Sequence, residues 1–153
     1  MFGKQKQEMM VYVIMGFLEA GKTSLIRDLL ADELFDDRSK TLILVCEEGE
    51  EEYPQALLDQ THAACEYIED EESFQGKVIE KFLKKHRPDR IIIEPSGVGK
   101  LSDVMKSVID IEKEEDVKLN GLITVVNALK ASKQMKAFGE FFNNQIEYAT
   151  TVV

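Results

Sequence analysis

The residues best suited to binding and catalysis lie at positions 16–23, which read Gly-Phe-Leu-Glu-Ala-Gly-Lys-Thr. They fit the pattern G-x-x-x-x-G-K-[ST] at every fixed position. The two glycines let the backbone turn with its N–H groups pointing inward, where they can hold phosphate anions. In such a loop the lysine reaches the β- and γ-phosphates of a nucleotide, and the threonine hydroxyl ligates Mg²⁺. The pattern predicts a phosphate-binding loop, and we call positions 16–23 the phosphate loop.

Each residue of this loop has an expected role. We expect Lys22 to act in catalysis by neutralising phosphate charge, and Thr23 to bind the metal. Glu19 is expected to face solvent or a partner subunit, because its charge would repel phosphate if it pointed inward. The predicted nucleotide-binding residues include the neighbouring serine: Gly16, Phe17, Leu18, Glu19, Ala20, Gly21, Lys22, Thr23 and Ser24.

A second candidate segment, 90–99, reads Arg-Ile-Ile-Ile-Glu-Pro-Ser-Gly-Val-Gly. Glu94 ends a predicted strand at the place where phosphate-loop proteins hold an acidic residue for Mg²⁺. We expect Glu94 to act through the water shell of the metal or to orient the attacking water. Gly97 can let a backbone N–H approach the γ-phosphate. The alternative is a buried strand capped by an ordinary turn.

Alternating strands and helices must position these two segments. Short apolar runs predict strands at 10–15, 41–46, 65–68, 90–93, 119–126 and 150–153. Helical spacing of apolar residues predicts helices at 23–34, 54–62, 74–85, 101–109, 129–138 and 141–149. Continuously apolar strands indicate burial on both faces. The prediction is a three-layer α/β phosphate-loop fold with a mostly parallel sheet flanked by helices, and with ligands at the carboxyl edge of the sheet.

Composition restricts the function classes further. The chain has 153 residues, suited to one domain, and we expect residues 1–9 to be a flexible tail and 10–153 the domain. Its net charge of −10 argues against nucleic acid and anionic membranes as partners. The polar start does not resemble a secretion signal, and two cysteines are too few for a disulfide scaffold. A cytoplasmic location is the expectation.

The motifs together resemble those of the CobW-type GTPases. The resemblance rests on Gly-Phe-Leu-x-x-Gly-Lys-Thr at 16–23 and Ile-Ile-Glu-x-Ser-Gly at 92–97, and it extends to 45–50, 122–128 and 145–151. It implies binding of GTP and GDP with Mg²⁺, slow hydrolysis, and a switch role in delivering metal to enzymes or in cobalamin assembly. It further implies a client metalloenzyme or cofactor-assembly protein as partner, and a nucleotide-dependent homodimer.

Three departures from that family's pattern bear on the expectation. The Cys-x-Cys-Cys metal motif is replaced by Thr-His-Ala-Ala-Cys at 61–65, so a Zn²⁺ or Co²⁺ site rests on few soft ligands. The guanine-reading Asn-Lys-x-Asp element and the family's C-terminal domain do not appear before Val153. We therefore expect the sequence to be a fragment that is truncated before the base-specificity motif.

Several assignments stay open at this stage. Glu47, with Cys46 and Glu50, suits a switch segment or a metal ligand, and His62 with Cys65 suits a metal or an ordinary surface and core pair. His86 is expected to have a structural role at a helix C-terminus, where cations suit the helix dipole. Residues 112–116 are expected to form a solvated loop, and the role of Asn127 is open.

Two functional alternatives also remain. One is an ATP-dependent enzyme of the small-molecule kinase type, and the other is a non-hydrolysing nucleotide- or metal-binding module.

Overall fold

The protein is described from a computed structural model, which covers residues 8–17, 19–32, 35, 38–46, 52–68, 76–96, 100–113 and 116–153. The strands are β1 (Met9–Met15), β2 (Thr41–Val45), β3 (Ala63–Tyr67), β4 (Arg90–Glu94), β5 (Val117–Thr124) and β6 (Thr151–Val152). The helices are α1 (Lys22–Ala31), α2 (Gln55–Gln60), α3 (Gly76–His86), α4 (Leu101–Glu112), α5 (Ala131–Ala137) and α6 (Gly139–Glu147).

Over these described ranges the strands form one sheet in the order β3-β2-β4-β1-β5-β6. Every pairing is parallel, including β1 with β4 on one side and β5 on the other. Because parallel strands end at a common edge, the segments that follow β1, β4 and β5 meet there. The predicted three-layer α/β fold with its parallel sheet is confirmed.

The apolar core lies in two layers, one on each face of the sheet. Adjacent residues of β4 show the alternation, since Ile93 packs in one layer and Ile92 in the other. The first layer contains residues of α3 and α4, and the second contains residues of α1 and α2. Burial on both faces explains why the central strands read as unbroken apolar runs.

The predicted strands and helices all appear, with ends that differ from the predicted ones by at most three residues. α1 stops at Ala31 because Asp32 adopts an extended backbone and its N–H donates to the carbonyl of Leu29. α5 begins at Ala131 rather than 129, since the preceding residues form a turn held by Asn127. β5 starts at Val117, two residues before the predicted position.

Two loop expectations differ from the structure. Met9, placed in the tail by the sequence, pairs with Val117 and donates its N–H to the carbonyl of Asp116 at 2.8 Å, so β1 begins one residue early. Residues 1–7 lie outside the described residues. Glu112, placed in a solvated loop, ends α4, and its carboxylate accepts the Leu119 N–H at 2.5 Å. This bond attaches the end of α4 to β5.

No helix within the described residues has both the length and the apolar character needed to cross a membrane.

Candidate nucleotide site at the carboxyl edge of the sheet

The phosphate loop joins β1 to α1 at the carboxyl edge of the sheet. Its first residue, Gly16, lies so close to β5 that an added Cβ would stand 2.6 Å from the carbonyl oxygen of Val125. The N–H of Val125 in turn donates to the Met15 carbonyl at 2.7 Å. Gly21, with φ +102°, precedes the first turn of α1 in the left-handed region that favours glycine. Both glycines of the motif therefore meet a steric requirement.

The side chain of Phe17, the second residue of the loop, packs against two other aromatic rings. Phe17 is buried and stacks edge-on against Phe138 at 5.6 Å and beside Phe142 at 5.8 Å between ring centroids. Its carbonyl accepts the Ala20 N–H at 3.0 Å, which closes the turn. The buried ring leaves the backbone of Phe17 as the part that can contact a phosphate.

Glu19 lies at the exposed tip of this turn, as its charge led us to expect. Its φ of +61° places it in the left-handed region, and its carboxylate pairs with the Lys130 ammonium at 3.2 Å. Because both side chains are half exposed, the pair contributes little to stability. The contact connects the loop tip to the turn that precedes α5.

Lys22 is the first residue of α1, and its long side chain is 6% exposed. Its ammonium donates to the carbonyl oxygen of Pro95 at 3.4 Å, just beyond the end of β4. An ammonium buried at this edge, beside the first turn of a helix, forms an electropositive position suited to phosphate oxygens. Ser24 lies in the same first turn and is half buried.

Glu94 is the carboxylate at the centre of the site, and it is 5% exposed. Its Oε1 accepts the hydroxyl of Thr23 at 3.0 Å, which brings together the two predicted Mg²⁺-binding residues from 71 positions apart. Its Oε2 accepts the hydroxyl of Tyr53 at 2.5 Å. Each oxygen of the Glu94 side chain therefore has a hydroxyl donor despite its burial.

The environment of Tyr53 fixes it as a hydrogen-bond donor. Burial, and next the negative charge of Glu94, raise the pKa of Tyr53 well above its ordinary range. The phenol therefore keeps its proton at neutral pH.

The donors at this site suit magnesium. Mg²⁺ prefers hard oxygen ligands, often one or two from the protein together with waters and substrate phosphates. A threonine hydroxyl and a carboxylate in contact, at the end of the phosphate loop, provide this set. Soft ligands are absent from this arrangement, so its chemistry does not favour Zn²⁺ or Co²⁺ there.

The sites considered for a transition metal are less complete. Burial raises the pKa of the Cys65 thiol to about 11, which disfavours a thiolate at neutral pH. His62 lies in a turn at the opposite edge of the sheet, and His86 lies 2.7 Å from Glu66. Among the residues that the structure describes, no three His, Cys, Asp or Glu side chains stand together as a group that could hold a metal ion.

Asn127 has a structural role in the turn after β5. Its side-chain oxygen accepts the N–H of Leu129 at 3.1 Å, and its carbonyl accepts the N–H of Lys130 at 3.0 Å. Asparagine commonly stabilises turns in this way. Three predicted site residues lie outside the described residues: Leu18, Glu47 and Gly97.

Tyr53 is the site residue that sequence reasoning missed. It follows an acidic run and precedes Pro54, and no motif in the sequence marks it. A hydroxyl-bearing aromatic beside a predicted helix start is most often a packing residue. Its contact with Glu94, 41 residues away, appears only once β2 and β4 are placed side by side.

Two curated proteins are similar to this chain in sequence. The chain is 27% identical to the zinc-regulated GTPase metalloprotein activator 1 of Schizosaccharomyces pombe over 157 residues, covering 94% of this chain and 38% of that protein. It is 28% identical to the zinc chaperone YeiR of Escherichia coli over 147 residues, covering 92% and 44%. The chain thus spans less than half the length of these curated relatives.

A solved structure has the same fold. The Zn(II)-bound triple mutant of YjiA GTPase superposes with a TM-score of 0.68 at 24% identity, covering 94% of this chain and 48% of that one. The family model for the CobW/HypB/UreG nucleotide-binding domain matches residues 10–153, which include the whole sheet except Met9. The resemblance inferred from the motifs is confirmed, and the chain belongs to the CobW/HypB/UreG family, of which it carries the nucleotide-binding domain.

Proposed function

We propose that residues 10–153 form a Mg²⁺-dependent domain that binds and hydrolyses GTP as a switch in metal delivery. The observation that carries the proposal is the contact of Thr23 with Glu94 at 3.0 Å, beside the buried ammonium of Lys22. A lysine, a hydroxyl and a carboxylate at the end of a phosphate loop are the parts that phosphoryl transfer requires. The relatives named as a zinc-regulated GTPase metalloprotein activator and as a zinc chaperone support both the nucleotide and the metal role.

The residues act mainly by positioning and charge. Lys22 would exchange the Pro95 carbonyl for phosphate oxygens, and the amide groups at the start of α1 would hold the same anion. Thr23 and Glu94 would hold Mg²⁺, which when bound neutralises charge on the phosphates. Glu94, through its second oxygen, would orient a water molecule. Turnover is expected to be slow, since neither an arginine finger nor a glutamine is assigned from the sequence.

The delivered metal is proposed to be zinc, because the names of both curated relatives refer to zinc. A client metalloprotein then follows as the partner. The proposal also includes a link to cobalamin assembly and a nucleotide-dependent homodimer, which the resemblance of the sequence motifs implies. It includes a cytoplasmic location, which the polar start and the two cysteines favour.

The substitution Lys22→Ala tests the nucleotide site. We expect it to lower the affinity for Mg²⁺·GTP at least tenfold, because charged hydrogen bonds to phosphate contribute about 1.5–3 kcal/mol. Calorimetric titration of the purified chain with GTP in Mg²⁺ measures the change. Lys118→Ala removes the same charge from an exposed position on β5 and is the matched control. Equal affinity in Lys22→Ala and the control would contradict the site.

Single-turnover hydrolysis separates the switch from its alternatives. Release of phosphate from bound GTP, lost in Glu94→Gln, is the expected result. Stable GTP without phosphate release over hours would instead favour a non-hydrolysing binding module. Tighter binding of ATP than GTP in the same titration would favour the kinase-type alternative.

A further inference from the structure

Tyr53 contacts the magnesium-binding carboxylate from a part of the chain that no phosphate-loop motif includes. Its side chain is 8% exposed, and it belongs to the apolar layer that contains Ile26 of α1, Val45 of β2 and Leu58 of α2. Pro54, the next residue, begins the turn into α2 and accepts the N–H of Leu58 at 3.1 Å. The ring is therefore held by packing, and its hydroxyl is aimed at Glu94.

The two hydroxyl groups on Glu94 are not equivalent for metal binding. Thr23 can donate its proton to Oε1 and still offer lone pairs of the same oxygen to Mg²⁺, because a hydroxyl has one proton and two lone pairs. Tyr53 donates to Oε2, and its phenol lies on a ring buried in the core. Its bond therefore fills the side of Glu94 that a water molecule on the metal would otherwise reach.

The limited space around the Glu94 carboxylate makes the Tyr53 hydroxyl and a metal-bound water compete for Oε2. Glu94 is 5% exposed, and its strand lies between β2 and β1. A second donor at Oε2 has little room beside a hydroxyl that stands 2.5 Å away. Mg²⁺ keeps several of its waters when it binds proteins, and those waters need acceptors such as this oxygen.

We propose that Tyr53 sets the affinity of the magnesium site, because its hydroxyl competes with the water shell of Mg²⁺ for Oε2 of Glu94. The inference rests on the proposed function, since it concerns the metal of that same site. Metal binding then displaces the Tyr53 hydroxyl, and Tyr53 directly precedes Pro54 at the start of α2. The start of α2 becomes the part of the fold that responds to the loaded site.

The test is a Mg²⁺ titration of GTP binding with wild-type chain and Tyr53→Phe. The phenylalanine keeps the ring in the apolar layer and removes only the competing hydroxyl. We expect the Mg²⁺ concentration at half-maximal GTP binding to fall about tenfold, and GTP affinity in EDTA to stay the same. Thermal unfolding in EDTA gives a second readout. Tyr53→Phe should unfold at a lower temperature, and Mg²⁺·GTP should raise that temperature more than in wild type.

Tyr12→Phe is the matched control. It removes a hydroxyl from the same apolar layer, but that hydroxyl accepts from Asn120 at 2.9 Å, away from Glu94. Its Mg²⁺ midpoint should equal that of wild type. An unchanged or higher midpoint in Tyr53→Phe would overturn the inference alone. A wild-type chain whose GTP affinity does not depend on Mg²⁺ would overturn the metal part of the proposed function, and this inference with it.

Discussion

The phosphate loop depends on the absence of a side chain at Gly16. The backbone just after β1 passes so close to the residue that follows β5 that a Cβ at Gly16 would stand 2.6 Å from the Val125 carbonyl oxygen. This oxygen belongs to the main chain, which is fixed by the Val125 N–H bond to Met15 at 2.7 Å. Relief of the clash must therefore move either the loop or the end of β5.

Gly16→Ala is accordingly expected to lower both stability and nucleotide affinity. Overpacking against main chain typically costs about 1–3 kcal/mol of unfolding free energy, and a displaced loop should bind GTP at least tenfold more weakly. Urea unfolding and GTP titration measure the two effects. Gly139→Ala is the control, because nothing lies within 4 Å of a Cβ at that helical position. It should be neutral or stabilise by about 0.5–1 kcal/mol.

Some site residues belong to a motif that the sequence shows, and others do not. Lys22 and Thr23 were predicted because a phosphate loop has fixed spacing, and the described structure places both at the carboxyl edge. Glu94 followed from its position at the end of a strand. Tyr53 could not be predicted in this way, since its partner lies on a strand that is remote in sequence.

A small charged cluster adds to the apolar packing of Ile79 and Leu83 in attaching α3 to the sheet. Glu66 on β3 accepts the Lys85 ammonium at 2.5 Å and lies 2.7 Å from the His86 ring, in the last turn of α3. Hydrogen bonds from Lys85 and then His86 hold the pKa of Glu66 below its ordinary value. The predicted role of His86 at a helix C-terminus is consistent with this contact.

Glu66→Gln should therefore change the pH dependence of stability. A carboxylate with a lowered pKa in the folded state adds stability above its unfolded pKa of about 4.3, and loses it as pH falls through the folded value. We expect the variant to be about 0.5–1 kcal/mol less stable at pH 7, with the difference shrinking as pH falls below about 4.3 and disappearing once pH lies below the folded pKa of Glu66. Urea unfolding across pH tests this.

The control for that series is Glu80→Gln, which breaks an exposed pair with Lys84 within the same helix. Such a pair contributes about 0.3–0.5 kcal/mol. A Glu66→Gln difference that persists unchanged at low pH would show that packing, not charge, connects β3 to α3.

Element positions were predictable because apolar runs and helical spacing are strong signals, whereas element ends depend on local bonds. α1 ends where the N–H of Asp32 donates to the carbonyl of Leu29, and β1 begins where Met9 pairs with Val117. The start of β1 therefore depends on a partner strand more than a hundred residues away, and the periodicity of a short window gives no information about that strand.

The whole molecule depends on one sheet shared by two apolar layers. Ile92 and Ile93 are adjacent in β4, buried, and on opposite faces. Removing a methylene group from either residue should weaken one layer while leaving the other in place. Since the two layers share the sheet, we expect them to unfold together.

Ile92→Val and Ile93→Val test this cooperativity. Each should lower the unfolding free energy by about 0.5–1.5 kcal/mol, and the double variant by their sum, because the two side chains share no layer. Urea unfolding followed by circular dichroism should show one transition with an unchanged m-value. Ile109→Val, at a position 38% exposed on α4, is the control and should change stability little. Two separate transitions would contradict a shared core.

The central place of β1 also affects the energetics of ligand binding. Its hydrogen bonds to β4 on one side and β5 on the other fix the strand before any phosphate arrives. The anchor of the phosphate loop therefore loses little conformational freedom on binding, and less of the interaction free energy is spent on ordering. Preorganisation of this kind lets a chain of net charge −10 hold a polyanion through one short loop.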